Sequence, residues 1–277
     1  MDKINDDQSF GRERPVNVHR YFAVVPPALR PRQLAFMHIG KTAGTSFHYL
    51  IRGAMPEALA FNGGPEQYDV MTPEELESFD LLLGHFSFHH SKKFRPYRYL
   101  LAFLRDPVER VLSNYHFLRG WTGYVDFTNE EMIRASRELA LVDFLKSPLP
   151  QVRAVVENHQ TYFLGADWRA SRTEEPEALY SRALANLISL QFVGLTDRYA
   201  ESVAMLFEDL GIADAPTVTR LNVTPNRVPS EGISSADREV VEEMNQLDIQ
   251  LYGEAKHLFG EQLVRLDASR KCRVPTA

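Results

Sequence analysis

Residues 36–47 read FMHIGKTAGTSF, and this turn joins two different hydrophobic periods. Before it, QLAFMHI (33–39) is a short apolar run, the pattern of a buried strand. After it, TSFHYLIRGAM (45–55) sets Phe47, Leu50, Ile51 and Ala54 at helical spacing, with Thr45 and Ser46 as good helix-starting types. The stretch therefore reads as strand, loop, helix. The loop proper lies after Lys41, in TAGTS, where free N–H groups and the following helix N-terminus form an anion site. Lys41 adds a point charge to it.

The scheme recurs along the chain. FDLLLGHFSF (79–88) is an apolar run that ends at a glycine and a histidine. YRYLLAFLRDP (97–107) is the clearest strand, and at Asp106-Pro107 it breaks into VERVLSNYHFLRGW, where Val108, Val111, Leu112 and Tyr115 have helical spacing. Pro107 suits a first helical turn, because its missing N–H would find no partner there. Helical patterns at 128–147, 150–165 and 175–190 lead into the strand QFVGLT (191–196). An amphipathic helix over 197–211 closes at Gly211, and a long C-terminal helix spans 237–263, with Gly253 as a point of possible breakage. Strands alternating with helices specify an α/β fold: a single domain with a central, mainly parallel sheet flanked by helices. We place that domain at 31–265, after a proline-rich arm (1–30) and before a tail (266–277).

At 277 residues the chain is long enough for one sizeable core. A formal net charge of −6 argues against binding nucleic acid through bulk charge. The single cysteine, Cys272, excludes an internal disulfide and Cys-rich metal sites. There is no apolar stretch of transmembrane length and no leader-like N-terminus, so a cytoplasmic location is expected. The basic run SKKFRPYRY (91–99) is either a solvated surface or the rim of a site for an anionic ligand.

Two motifs carry chemistry. AFMHIGKT (35–42) matches a relaxed nucleotide-triphosphatase loop, but Phe36, Met37, His38 and Ile39 read as strand where such a loop needs a backbone cradle. An ATP-dependent small-molecule kinase is the rival reading. In FLRDPVERVLSNYHFLRG (103–120), Arg105 stands at a strand end, where ligands of parallel sheets collect, and Ser113 lies about two turns into the next helix. Together they can hold a second phosphate; the plainer alternative is a local Arg105–Asp106 ion pair with Ser113 as filler. Two anion sites on neighbouring strand ends fit a nucleotide with phosphates at both its 5′ and 3′ positions.

HIGKTAGTSF resembles the 5′-phosphosulfate loop of carbohydrate sulfotransferases that use 3′-phosphoadenosine 5′-phosphosulfate (PAPS). LRDPVERVLSNYHFLRG resembles their 3′-phosphate segment, Arg-Asp-Pro-x-x-Arg-x-x-Ser. DFLKSPLPQVRAVVENHQTYFLG is similar to the Asn-x-Gln-Thr region of heparan sulfate 6-O-sulfotransferases, and the chain resembles the heparan sulfate 2-O- and 6-O-sulfotransferases. ALANLISLQFVGLTDRYAESVAMLF and LNVTPNR (221–227) extend it, so the likeness runs in order from about residue 34 to 227.

The resemblance implies a P-loop-kinase-like sulfotransferase fold, PAPS as co-substrate with PAP (3′,5′-ADP) as product, and no required metal. It gives Lys41 the bridging oxygen and 5′-phosphate, and gives Thr42, Ala43, Gly44, Thr45 and Ser46 the same phosphate through N–H groups and hydroxyls. Arg105 and Ser113 would hold the 3′-phosphate, with Asn222 and Thr224 closing over the nucleotide. Gly40 departs from the family's usual proline. Sulfuryl transfer to a hydroxyl needs a base, and His85 occupies the corresponding strand-end position, with His89 and His90 as alternatives and His38 as a packing or loop-orienting residue. The acceptor would be a hydroxyl, on a sugar or glycan, anionic if the basic run faces it. A non-catalytic nucleotide-binding module on the same fold is the second rival.

Other features have plainer readings. Trp121 and Tyr124 suit a core edge better than a sugar platform, and Phe117, Phe127 and Phe144 read as core. TEEPE (173–177) reads as a solvated loop, and Glu130 and Glu131 suit a positive helix N-terminus.

Overall fold

The apolar runs become strands of one sheet. A computed structural model describes residues 33–94, 98–123, 127–212 and 232–273. The strands are β1 (Leu34–Met37), β2 (Ala60–Gly63), β3 (Leu81–Gly84), β4 (Tyr99–Leu104) and β5 (Phe192–Leu195). They lie in the order β2-β3-β1-β4-β5, every neighbouring pair parallel. A parallel sheet must be covered on both faces, and β1, β3, β4 and β5 are buried along their whole lengths.

Helices supply that cover: α1 (Gly44–Ala54), α2 (Pro65–Val70), α3 (Pro73–Glu77), α4 (Pro107–Arg119), α5 (Phe127–Glu138) and α6 (Leu141–Leu145). They continue with α7 (Pro150–Val156), α8 (His159–Gly165), α9 (Pro176–Ser189), α10 (Tyr199–Leu210), α11 (Ser235–Met244) and α12 (Gln246–Arg273). A 3-10 helix, Phe88–Lys93, follows β3. The main core is built on Phe36, Phe47 and Phe103, whose ring centroids lie 4.6 to 6.1 Å apart. A second apolar cluster joins α4 to the helices after it, through Val111, Leu112, Phe144, Val152 and Val241. Among the described residues no helix is long and apolar enough to cross a membrane.

Three expectations are corrected. The pattern over 128–147 is two helices, α5 and α6, and 150–165 is also two, because Asn158 turns left-handed (φ 44°) between α7 and α8. The C-terminal helix breaks at Asn245 and not at Gly253, which lies inside α12. Asn245 is buried, its Oδ1 accepting from the Asn158 N–H (3.1 Å) and its Nδ2 donating to the Val241 carbonyl (2.9 Å). Those contacts stop the helix there, whereas a lone glycine costs a helix only about 1 kcal/mol.

Two cations of the basic run over 91–99 are engaged with the fold itself, while Lys92 is exposed. Lys93 Nζ donates to the carbonyls of Tyr68, Asp69 and Met71 (2.8, 2.7 and 3.1 Å), closing the C-terminal end of α2. Arg98 is buried and donates to the carbonyls of Leu34, Asp80, Leu76 and Phe79. Both cations staple backbone; residues 95–97 lie outside the described residues.

Sheet order decides where chemistry can sit. The carboxyl ends of β3, β1 and β4 are adjacent, so His85, the loop after Met37 and Arg105 emerge side by side.

Candidate active site

The β1–α1 loop is shaped by its dihedral signs. Lys41 and Ala43 have positive φ (69° and 68°), while Gly40, Thr42 and Gly44 do not. Alternating hands turn successive N–H groups toward one side and form a concave anion nest. Each positive φ on a residue with a Cβ costs of order 1 kcal/mol, the kind of strain that concentrates at working sites. Thr42 is fully buried, and its hydroxyl donates to the Ile39 carbonyl (2.9 Å), which locks the turn. The N-cap residue of α1 is Ala43, whose methyl group makes no cap hydrogen bond to the first turn.

Gly44 is needed for a close approach. A Cβ there would lie 1.8 Å from His38 Cδ2. We expect Gly44→Ala to destabilise the protein by about 1–3 kcal/mol, as overpacking does, and to weaken nucleotide binding. A melting curve and a nucleotide titration check this together; an unchanged Tm with unchanged affinity would refute it. Gly40 also fits its surroundings, since a Cβ there would lie 3.3 Å from His159 Nε2.

Lys41 Nζ rests 3.6 Å from the centroid of the Phe117 ring on α4, a cation–π contact. Phe117 is therefore more than the core residue expected. It is part-buried and is the seat of the loop lysine; Trp121 packs against it edge-on at 5.2 Å, as a core-edge residue would. Tyr124 and the Phe127 side chain lie outside the described residues.

His85 follows β3. Its Nδ1 lies 2.8 Å from the His38 carbonyl oxygen. A carbonyl only accepts, so Nδ1 carries the proton and Nε2 carries the lone pair. The ring stacks on His38 with centroids 4.2 Å apart, and the His85 carbonyl accepts from Trp168 Nε1 (3.1 Å). Burial, with His85 and Lys41 nearby, holds His38 well below the usual histidine range, so it stays neutral beside them.

The alternative histidines are placed otherwise. His90 is buried: the Ser87 N–H donates to its Nδ1 (3.1 Å), and its Nε2–H donates to Asp69 Oδ1 (2.9 Å). His89 stacks on it at 3.8 Å. Asp69, His89 and His90 have the composition of a metal site, their ligand atoms within 4.8 Å of one another, but Asp69 is already shared between His90 and Arg169.

Arg105 begins the turn after β4. Its Nη1 donates to the Lys41 carbonyl (3.1 Å) and its Nη2 pairs with Glu109 Oε2 (3.1 Å). The guanidinium thus ties the two phosphate-type segments together. Asp106 is not its ion-pair partner as the plainer alternative supposed. Asp106 caps α4, accepting from the Glu109 N–H (3.0 Å), and burial raises its carboxyl above the ordinary value. Ser113 is on the buried side of α4. Asn222 and Thr224 lie outside the described residues.

A model of the sulfotransferase family matches residues 30–253, most of the chain. The chain belongs to the sulfotransferase family. The chain is 26% identical to heparan-sulfate 6-O-sulfotransferase 3-B of Danio rerio over 82% of its own length and 63% of the relative's. It is 24% identical to heparan-sulfate 6-O-sulfotransferase 3 of Mus musculus over 83% of its length and 58% of the relative's. It thus spans about three fifths of these curated relatives.

Several residues around these strand ends escaped the sequence reading. Glu109 had no signal beyond sitting four residues after Arg105, the spacing of a helical ion pair. Trp168 and His159 meet the site from a distant part of the chain, packing edge-on at 5.6 Å. Gln160 stood in the quoted Asn-x-Gln-Thr segment without a role. The acidic stretch 173–177 is mostly exposed, as expected, with Glu174 meeting Arg182.

Proposed function

We propose that this sulfotransferase moves a sulfuryl group from PAPS to a hydroxyl, on a sugar or glycan, and releases PAP. The reading rests above all on one arrangement: adjacent strand ends carry, in order, a histidine with a directed lone pair, an anion nest with a lysine, and an arginine fork. The acceptor oxygen attacks sulfur in line, the bond from sulfur to the 5′-phosphate oxygen breaks, and the acceptor proton passes to His85 Nε2. Lys41 and the N–H groups of residues 42–46 meet the charge that develops on the departing phosphate. Arg105 and Ser113 hold the 3′-phosphate, with Asn222 and Thr224 closing over the nucleotide. No metal step is included, because the sulfuryl group of PAPS is already activated. A carbohydrate acceptor is favoured by the names of the two relatives.

The kinase alternative has less support in the strand ends. Asp106 serves as a helix cap, and Asp197, after β5, accepts from the Tyr252 hydroxyl (2.6 Å). A thermal-shift comparison separates the readings. PAP at 100 times its Kd is expected to add about 2.7 kcal/mol of stability, with little from ATP–Mg²⁺. The reverse ranking would favour a kinase. A PAP shift without ³⁵S transfer to any member of a glycan panel would favour a non-catalytic module.

A further inference from the structure

Arg105 leaves the sheet one residue after its ladder ends. The Leu104 carbonyl still accepts from the Thr196 N–H (2.9 Å) and hydroxyl (3.0 Å), and β4 stops there. Beyond it the Arg105 N–H donates to Gln160 Oε1 (2.9 Å), and the Arg105 carbonyl accepts from Gln160 Nε2 (2.9 Å). One primary amide therefore satisfies both main-chain groups of one residue, as a paired strand would. Two bonds in one plane fix the direction of that backbone, and with it the Cα–Cβ vector that launches the guanidinium.

The clamp is itself anchored. Gln160 is fully buried. Its N–H donates to Asp248 Oδ2 (3.1 Å), while the Thr161 N–H and hydroxyl both donate to Asp248 Oδ1 (2.7 Å each). From the other side Asn158 Oδ1 accepts from the N–H groups of Leu247 and Asp248 (3.0 and 3.2 Å). The starts of α8 and α12 thus cap each other. This lock gives the amide little freedom to turn away from Arg105.

We infer that Gln160 is a positioning residue for recognition of the nucleotide's 3′-phosphate, acting through Arg105 and anchored by Asp248; this rests on the nucleotide reading above. A residue that only filled core would weaken stability and all nucleotides alike. A residue that aims Arg105 weakens ligands with a 3′-phosphate more than those without one.

The experiment is the ratio of dissociation constants for 5′-AMP and 3′,5′-ADP, titrated on one preparation of the full chain so that any unfolded fraction cancels. The wild type is expected to bind 3′,5′-ADP far more tightly. In Gln160→Leu the ratio is expected to fall about tenfold or more, the scale of a charge-assisted hydrogen bond, with 5′-AMP affinity changed less than about twofold. Gln160→Glu keeps the size and one acceptor oxygen but loses the donor to the Arg105 carbonyl; it carries the test if the leucine variant does not fold. Arg105→Ala should lose the same discrimination, and adding Gln160→Leu to it should lose no more. An unchanged ratio in both Gln160 variants, with only the Tm lowered, overturns the inference. A wild type that does not discriminate overturns the nucleotide reading instead.

Discussion

Lys41→Ala is expected to lower kcat by about two orders of magnitude or more, with the fold intact. The fold should survive because alanine accepts the same backbone no worse than lysine, and the contact of Lys41 with the Phe117 ring is worth about 0.5–1 kcal/mol at an accessible position. The rate should fall because breaking the sulfur–oxygen bond concentrates charge on the 5′-phosphate. Removing one preorganised donor from such a site costs about 10²- to 10³-fold. Arginine is a poor substitute, since its planar fork cannot copy a compact ammonium over the Phe117 ring. Steady-state kcat alongside a melting curve decides the matter: full activity in Lys41→Ala would remove Lys41 from the mechanism.

His85→Ala separates binding from chemistry. Turnover should drop by about 10²- to 10⁴-fold, the usual worth of a positioned general base, while PAP affinity stays within about twofold. The hydrogen bonds motivate this split. His85 Nδ1–H donates to the His38 carbonyl, which orients the ring with Nε2 on its opposite edge. His90 has both ring nitrogens engaged, by Ser87 and Asp69. His90→Ala should therefore cost stability more than turnover. Lost PAP affinity in His85→Ala, or full turnover, would show that the base lies elsewhere.

The strand–loop–helix at 33–55 was legible because three independent signals agreed there: an apolar run, a turn of small residues and helical spacing. The positions of Lys41 and Arg105 just past strand ends were legible because the apolar runs before them stop there. β2 was not legible: AFNG has only Gly63 buried, and it becomes a strand through pairing with β3. The break at Asn158 was hidden because its cause is long-range, in the contacts to Asn245 and Asp248. Gln160 was opaque for the same reason, since it meets Arg105 across 55 positions of sequence. Composition could not separate the cations at 91–99, because a basic cluster does not say which of them meet water and which, as with Lys93 and Arg98, meet their own backbone carbonyls.

The three histidines show where the two levels join. Sequence placed His85, His89 and His90 near one strand end and left the choice among them open. Their hydrogen bonds give each a different surrounding: a carbonyl behind His85, a hydrogen-bond pin through His90, and a ring stack for His89.

A crystal structure of the chain with 3′,5′-ADP tests the central proposal most directly. The 5′-phosphate should lie in the turn of residues 40–46 within hydrogen-bonding distance of its N–H groups and Lys41, and the 3′-phosphate should meet Arg105. A nucleotide bound away from these strand ends, or gripped at one phosphate with the other free in solvent, would contradict it.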